Sequence, residues 1–245
     1  MKTNHIIFGA CIAFLSVNQL FSYIHFDINH PVDALHIAKR YLPQNPVIIE
    51  AGANEGLESI FMAKMWPAGT VHSFEPVPEL YKTVVANTKA LTNIRTYQLA
   101  LSNNIGTAKF YVSETSGQPN IPSQSSSLLA PKDHLIYAPQ VLFKKAIEVK
   151  TTTIDAWAEE HKIEKVDCLW LDMQGSELSA MMAAPKVMKS VKVILTEVEF
   201  VEAYKGQPLY PDVKAWLEAQ GFQMIALDVD LKHPYWFGDI LFVRI

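Results

Sequence analysis

From residue 31 onward the apolar positions fall into two alternating rhythms. Residues 31–42 put Val32, Leu35, Ile37 and Leu42 on one broad face, a helical spacing. Residues 46–52, PVIIEAG, are a continuous apolar run with β-branched side chains, the composition of a strand buried on both faces. The pair then repeats. The pattern predicts a helix over 57–66 stopped by Pro67, a strand over 69–76, a helix over 78–91 and a strand over 93–102. Such alternation predicts a mostly parallel sheet with right-handed crossovers and helices on both faces.

The rhythm breaks after residue 102. Residues 106–113 read as an extra strand, and 114–143 are rich in Ser, Gln and Pro with no period. A stretch this long inside a compact domain is expected to be a functional loop, and 116–137 within it is expected to close over a bound substrate as a lid. Alternation resumes with an extended segment at 146–154, a helix at 155–162, a strand at 166–173, a helix at 176–188, a strand at 191–200 and a helix at 210–221. Two last strands, 222–228 and 236–245, are joined by too few residues for a crossover helix. They are predicted to pair as a hairpin, which sets one antiparallel strand in the sheet.

A chain of 245 residues that is 49% hydrophobic can build one large α/β domain. Its net charge is −4 and it has no run of Lys or Arg, so no nucleic-acid partner is expected. Two cysteines, Cys11 and Cys168, make neither a disulfide framework nor a thiolate site. The eight histidines lack metal-ligand spacing, so no metal is expected. The N-terminus stands apart: residues 6–24 carry no charge and approach the ~20 residues that span a bilayer. They can be read as a signal-anchor, a signal peptide or a docking helix; no small-x-small cleavage site follows them. The chain is thus divided into an apolar segment, 1–25, with membrane association through 6–24, and a domain, 26–245. Nothing in the sequence sets the oligomeric state.

The chemistry concentrates at the predicted strand ends. The first strand runs into Glu50, then Gly52, Asn54 and Gly56, with Glu55 and Glu58 beside them. The second ends at Glu75 and Pro76, the third at 99–102 with Ala100 and Leu101, and the fourth at Asp172 and Gln174. In an open parallel sheet the ligand lies at these carboxyl ends. Glycines after a first strand let backbone approach a ligand, and a carboxylate about 20–25 residues on suits a ribose diol. That fits either a dinucleotide or S-adenosylmethionine. Two features separate them: G-x-G-x-x-G is missing, and a ring of carboxylates would repel a pyrophosphate but suits a cationic sulfonium.

These residues together resemble the FkbM family of S-adenosylmethionine-dependent methyltransferases, over most of 47–201. VIIEAGANEG is similar to the family's acid-Gly-Ala-Asn-x-Gly motif, with Glu50 in place of the commoner Asp. SFEPVPELYKTVVAN is similar to its second motif, whose carboxylate holds the ribose. ALSNNIGTAKFYVS, the serine patch 125–128, TTTIDAW and LWLDMQGSEL match further motifs. The resemblance implies a seven-stranded class I methyltransferase fold and methyl transfer to an oxygen, often a sugar or natural-product hydroxyl. The resulting expectation is that Glu50, Gly52, Asn54, Gly56, Glu75, Pro76, Ala100, Leu101, Asp172 and Gln174 bind S-adenosylmethionine. Asp172 is the first candidate for a general base and His134, beside Asp133 and Tyr137 in the long loop, the second. The rival readings are a nicotinamide-dependent oxidoreductase and a non-catalytic methyltransferase-like binding module. A methyltransferase domain is expected where its cofactor is, in the cytoplasm, attached to a membrane if 6–24 is an anchor.

Overall fold

The computed structural model describes residues 24–25, 31–117, 123–229, 231 and 235–245. The apolar run 6–24 lies outside the described residues but for its last one, and among the described residues no helix is long and apolar enough to cross a membrane.

The main sheet contains β1 (Ile24–His25), β2 (Val47–Ala51), β3 (Thr70–Phe74), β4 (Ile94–Tyr97), β8 (Cys168–Leu171), β9 (Val193–Glu199), β10 (Phe222–Leu227) and β11 (Phe237–Arg244). The order across it is β1-β10-β11-β9-β8-β2-β3-β4. All pairings are parallel except those of β11, which runs antiparallel to both β9 and β10. Without β1 this is the seven-stranded class I arrangement expected. The two-residue β1 extends the far edge. Strand order reverses between β2 and β8, so the crevice there is where a ligand should sit.

The helices are α1 (Pro31–Ala38), α2 (Leu57–Met65), α3 (Pro78–Thr88), α5 (Ile154–Glu160), α6 (Glu177–Met182) and α7 (Tyr210–Ala219). The strand period of two explains the layering. Ile49, Leu169, Leu171 and Ile194 face one core with Trp157, Met181 and Leu217. Ile48, Cys168, Trp170 and Val193 face the other with Leu35, Met62 and Trp66. Helix boundaries follow local chemistry. The Thr153 hydroxyl accepts the Ala156 N–H at 3.1 Å and starts α5. The helix expected over 176–188 stops at Met182 because Pro185 cannot continue it; a 3₁₀ turn, Val187–Lys189, follows.

The strand expected over 93–102 is two strands. After β4 the chain leaves the main sheet, and β5 (Ala100–Leu101) joins β6 (Gly106–Thr115) and β7 (Val141–Thr152) in a second sheet ordered β5-β7-β6. The extra strand and the extended segment seen in the sequence are partners, paired antiparallel from Gly106↔Thr151 to Thr115↔Val141. Phe110 and Val149 of this sheet pack on Val77 and Leu80 at the start of α3. The long loop is thereby shortened at both ends, and the helix α4 (His134–Tyr137) lies within it. Its described part is stitched down: Tyr111 bridges Ser127, Pro131 bridges Tyr204, and the His134 N–H donates to the Ala203 carbonyl at 3.1 Å. It forms a wall over the carboxyl ends of the main sheet.

Candidate active site

Gly52 leaves β2 with φ 87°, and its N–H donates to the Phe74 carbonyl at 3.1 Å. A Cβ there would lie 1.8 Å from the backbone oxygen of Asp172, so only glycine lets the turn nest against the end of β8. Asn54 also has positive φ, 49°. Its N–H donates to Glu75 Oε2 at 2.9 Å, and the Val77 N–H donates to Oε1 at 2.8 Å. Glu75 therefore clasps two turns, a structural role the sequence did not reveal. Each of its oxygens keeps a lone pair for a further donor. Gly56 is the exception among the expected residues. It begins α2 facing Val84 and Thr88 of α3, and it does not line the cavity described below.

Glu50 is 1% exposed at the end of β2. Ser59 donates to its Oε2, and Ser59 in turn meets Ser73 at 2.9 Å. Its Oε1 has no protein partner. An orphaned buried carboxylate oxygen on the cavity wall fits a ligand that brings donors or positive charge.

Beyond β8 the chain turns through Gln174 (φ 56°) and Gly175 (φ 98°). The Gln174 amide reaches two carboxylates, donating to Asp172 Oδ1 at 2.8 Å and Glu197 Oε2 at 2.5 Å. Tyr204 donates its hydroxyl to Gln174 Oε1 at 2.7 Å, and Ser127 of the loop donates to the Gln174 carbonyl at 2.8 Å. Glu177 closes the turn by accepting the Met173 N–H at 2.6 Å and the Gly175 N–H at 3.0 Å. The loop wall and the strand end are thus one hydrogen-bonded unit.

His134 is not a solvated loop side chain. It is fully buried between Phe143, Tyr204 and Trp236, with ring centroids 5.1, 5.3 and 5.2 Å away. Neither ring nitrogen has a partner. Burial lowers its pKa, which keeps the imidazole neutral.

One cavity of about 800 Å³ joins these features. At one end are Glu50, Gly52, Asn54, Glu75, Pro76, Ala100 and Leu101; Asp172 and Gln174 stand between; His134, Glu197, Tyr235, Trp236 and Asp239 form the other end. Sequence reasoning missed that last group apart from His134. Glu197 and Asp239 had left a signal, a carboxylate inside an otherwise apolar strand run. Among the described residues no group of three His, Cys, Asp or Glu is placed to hold a metal ion.

Burial raises the pKa of these acids together. Glu50 and Glu75 are each pushed up to about 7 and Glu177 to about 8. Asp172, Glu197, Glu199 and Asp239 are also raised by burial, the last three reinforced by repulsion from neighbouring acids. A carboxyl that holds its proton more tightly when folded costs stability as pH rises from its unfolded pKa through its folded one. His134, and His72 lowered to about 4, act oppositely below about pH 6.5, where only the unfolded chain takes up their protons. These seven acids, and Glu58 raised by burial in the same way, outweigh two histidines. The ligand-free protein is therefore expected to melt several degrees higher at pH 5.5 than at pH 8. A midpoint that rises between those values would show the acids to be ionised at no cost.

Residues 50–224 match the family described as the methyltransferase FkbM domain. A relative 28% identical over 184 residues, covering 74% of this chain and 76% of its own, is the 2-O-methyltransferase NoeI of Sinorhizobium fredii. Methyltransferase sdnD of Sordaria araneosa is 27% identical over 207 residues, 75% of this chain and 76% of its own. Among solved structures, a magnesium protoporphyrin IX methyltransferase from Synechocystis with bound SAM is 13% identical, covers 88% of this chain and 77% of that one, and superposes with a TM-score of 0.46. The family match spans the glycine turn, Glu75 and the Asp172 turn together, and the chain belongs to the FkbM family of methyltransferases.

Proposed function

We propose that the protein O-methylates a hydroxyl of a sugar or of a small natural-product-like acceptor, with the cofactor over β2 and the acceptor against the Trp236 end of the cavity. The observation that carries this is the single cavity linking a turn suited to a nucleoside, at Gly52 and Glu75, with a carboxylate, Asp172, and an aromatic wall. The 2-O-methyltransferase name of one relative supports transfer to oxygen. The nicotinamide-dependent reading falls with the family assignment.

S-adenosylmethionine, when bound, supplies a methyl group already activated on a sulfonium. The chain's own work is to bind, orient and exclude water. Glu75, held by two backbone N–H groups, is aimed to accept the ribose hydroxyls. Pro76, Ala100 and Leu101 line the apolar part of the same end. Glu50, whose Oε1 has no protein partner, would offer its carboxyl group to the charged end of the cofactor. The acceptor oxygen gains the methyl and loses its proton, and Asp172, midway along the cavity, is the group assigned to receive that proton. Its raised pKa makes it a better base than an ordinary carboxylate. His134, neutral and without a partner, is the second group able to take it.

Titration calorimetry tests the cofactor end. S-adenosylhomocysteine should bind and NAD should not. Glu75→Ala should weaken S-adenosylhomocysteine by roughly ten- to a hundred-fold, the loss of charge-assisted hydrogen bonds of about 1.5–3 kcal/mol. Glu75→Gln should lose less, since an amide keeps one acceptor oxygen. Circular dichroism comes first, because Glu75 also clasps its turn. A folded Glu75→Ala that binds as tightly as the parent sinks the ribose assignment.

A further inference from the structure

The far end of the cavity gathers more carboxyl groups than the cofactor can answer. Glu197 and Asp239 stand directly opposite each other on β9 and β11, so both side chains leave the same face of the sheet. Between β2 and β11 lie β8 and β9, which sets Asp239 roughly 14 Å from the cofactor strand at about 4.8 Å per strand. We propose that Glu197, Asp239 and the aromatic wall around Trp236 form an ammonium-binding subsite, and that the acceptor is a hydroxylated primary amine such as an amino sugar. This rests on the methyltransferase reading above and adds the charge of the acceptor to it.

Three observations carry it. First, the groups facing these two acids cannot neutralise them. Asp172, Glu177, Glu199 and Asp239 surround Glu197; Asp172, Asp228, Glu177 and Glu58 surround Asp239; Tyr204 is a phenol. Among the described residues lining the cavity there is no Lys or Arg, and His134 is kept neutral by burial. Second, the wall has unfilled polar atoms. Both nitrogens of fully buried His134 and the buried Nε1 of Trp236 lack partners, which points to a polar ligand beside them. Third, Trp236 is stacked on Tyr137 at 5.9 Å, and Tyr235, 62% exposed, lies 6.0 Å from it. Aromatic faces next to carboxylates attract a cation twice over, through the ring quadrupole and through charge. A neutral polyol needs only acceptors, and amides would provide those without burying acids.

The empty subsite holds protons because burial, reinforced by repulsion between its acids, disfavours their ionised forms, so an arriving ammonium displaces at least part of a proton. Calorimetry reads this directly. With the protein saturated by S-adenosylhomocysteine at pH 7, methyl glucosaminide, methyl glucoside and methyl N-acetylglucosaminide are titrated in phosphate and in Tris. The amine should bind at least tenfold tighter than either neutral sugar, with a heat that differs between buffers. Glu197→Gln should remove that preference and leave the neutral sugars unchanged. Gln174 keeps an acceptor in this variant, and Asp239→Asn serves if it does not fold. An amine that binds no tighter than its neutral counterparts, measurably or not at all, overturns the proposal, as does a Glu197→Gln that weakens all three alike. Absence of S-adenosylhomocysteine binding would instead overturn the cofactor reading, which separates the two failures.

Discussion

Asp172→Asn should lower methyl transfer by about 10²–10⁴-fold while S-adenosylhomocysteine binds within a few-fold of the parent. The magnitude is that of a positioned general base. The substitution is nearly isosteric, and the asparagine Oδ1 can still accept the Gln174 amide, now at 2.8 Å from Asp172. Folding and the cofactor end are thus spared, and the change falls on proton transfer. The parent rate should rise with pH and level off above the pKa of Asp172, and burial moves that rise upward from where an ordinary aspartate would put it. The variant should lose this limb. His134→Phe, which fills the same aromatic box, should cost far less if Asp172 is the base. A variant that keeps a third of the parent rate, or one that loses cofactor binding in step with turnover, makes Asp172 a binding residue instead.

Gly52→Ala should be the most damaging alanine substitution among the described glycines. The new Cβ would lie 1.8 Å from a backbone oxygen of Asp172, and φ 87° is strained for any residue with a side chain. Overpacking of about 1–3 kcal/mol and backbone strain of similar size give a loss of roughly 2–6 kcal/mol. For a chain of this length that is a melting point lower by about 4–24 °C. Gly56→Ala is the control. It shares the positive φ, 81°, but meets side-chain methyls of Val84 and Thr88 at 3.2 Å where Gly52 meets backbone at 1.8 Å, so it should lose markedly less. Equal melting points for the two would show that β2 and β8 are not wedged at this turn.

The cofactor end of the site was legible in the sequence because its information is local. An apolar run, a glycine turn and a carboxylate recur at strand ends, and a parallel sheet gathers strand ends at one edge. The acceptor end was hidden because it is made by long-range pairing. Asp239 meets Glu197 only once β11 pairs with β9, and no periodicity encodes that register. His134 read as a loop residue because nothing near it in sequence covers it; its cover comes from Phe143, Tyr204 and Trp236. The second sheet was seen as two separate strands because about thirty residues without a period part them, and such closure leaves no compositional trace. Glu75 was read as a ligand residue alone because its two backbone partners, Asn54 and Val77, are contacts of the fold.

The antiparallel insertion of β11 between β9 and β10 has a consequence for biosynthesis. β11 follows every other described strand in chain order, yet it enters the middle of the sheet rather than its edge. Until it arrives, β9 and β10 each present an open row of N–H and C=O groups, the kind of edge that recruits other chains. The same segment carries Tyr235, Trp236 and Asp239 into the cavity. A nascent or prematurely terminated chain can therefore hold the nucleoside-binding turn while lacking both the acceptor wall and a closed sheet. Completion of the sheet and completion of the site are one event, so a chain cut short before residue 237 should be cleared as misfolded and not persist as an idle cofactor binder.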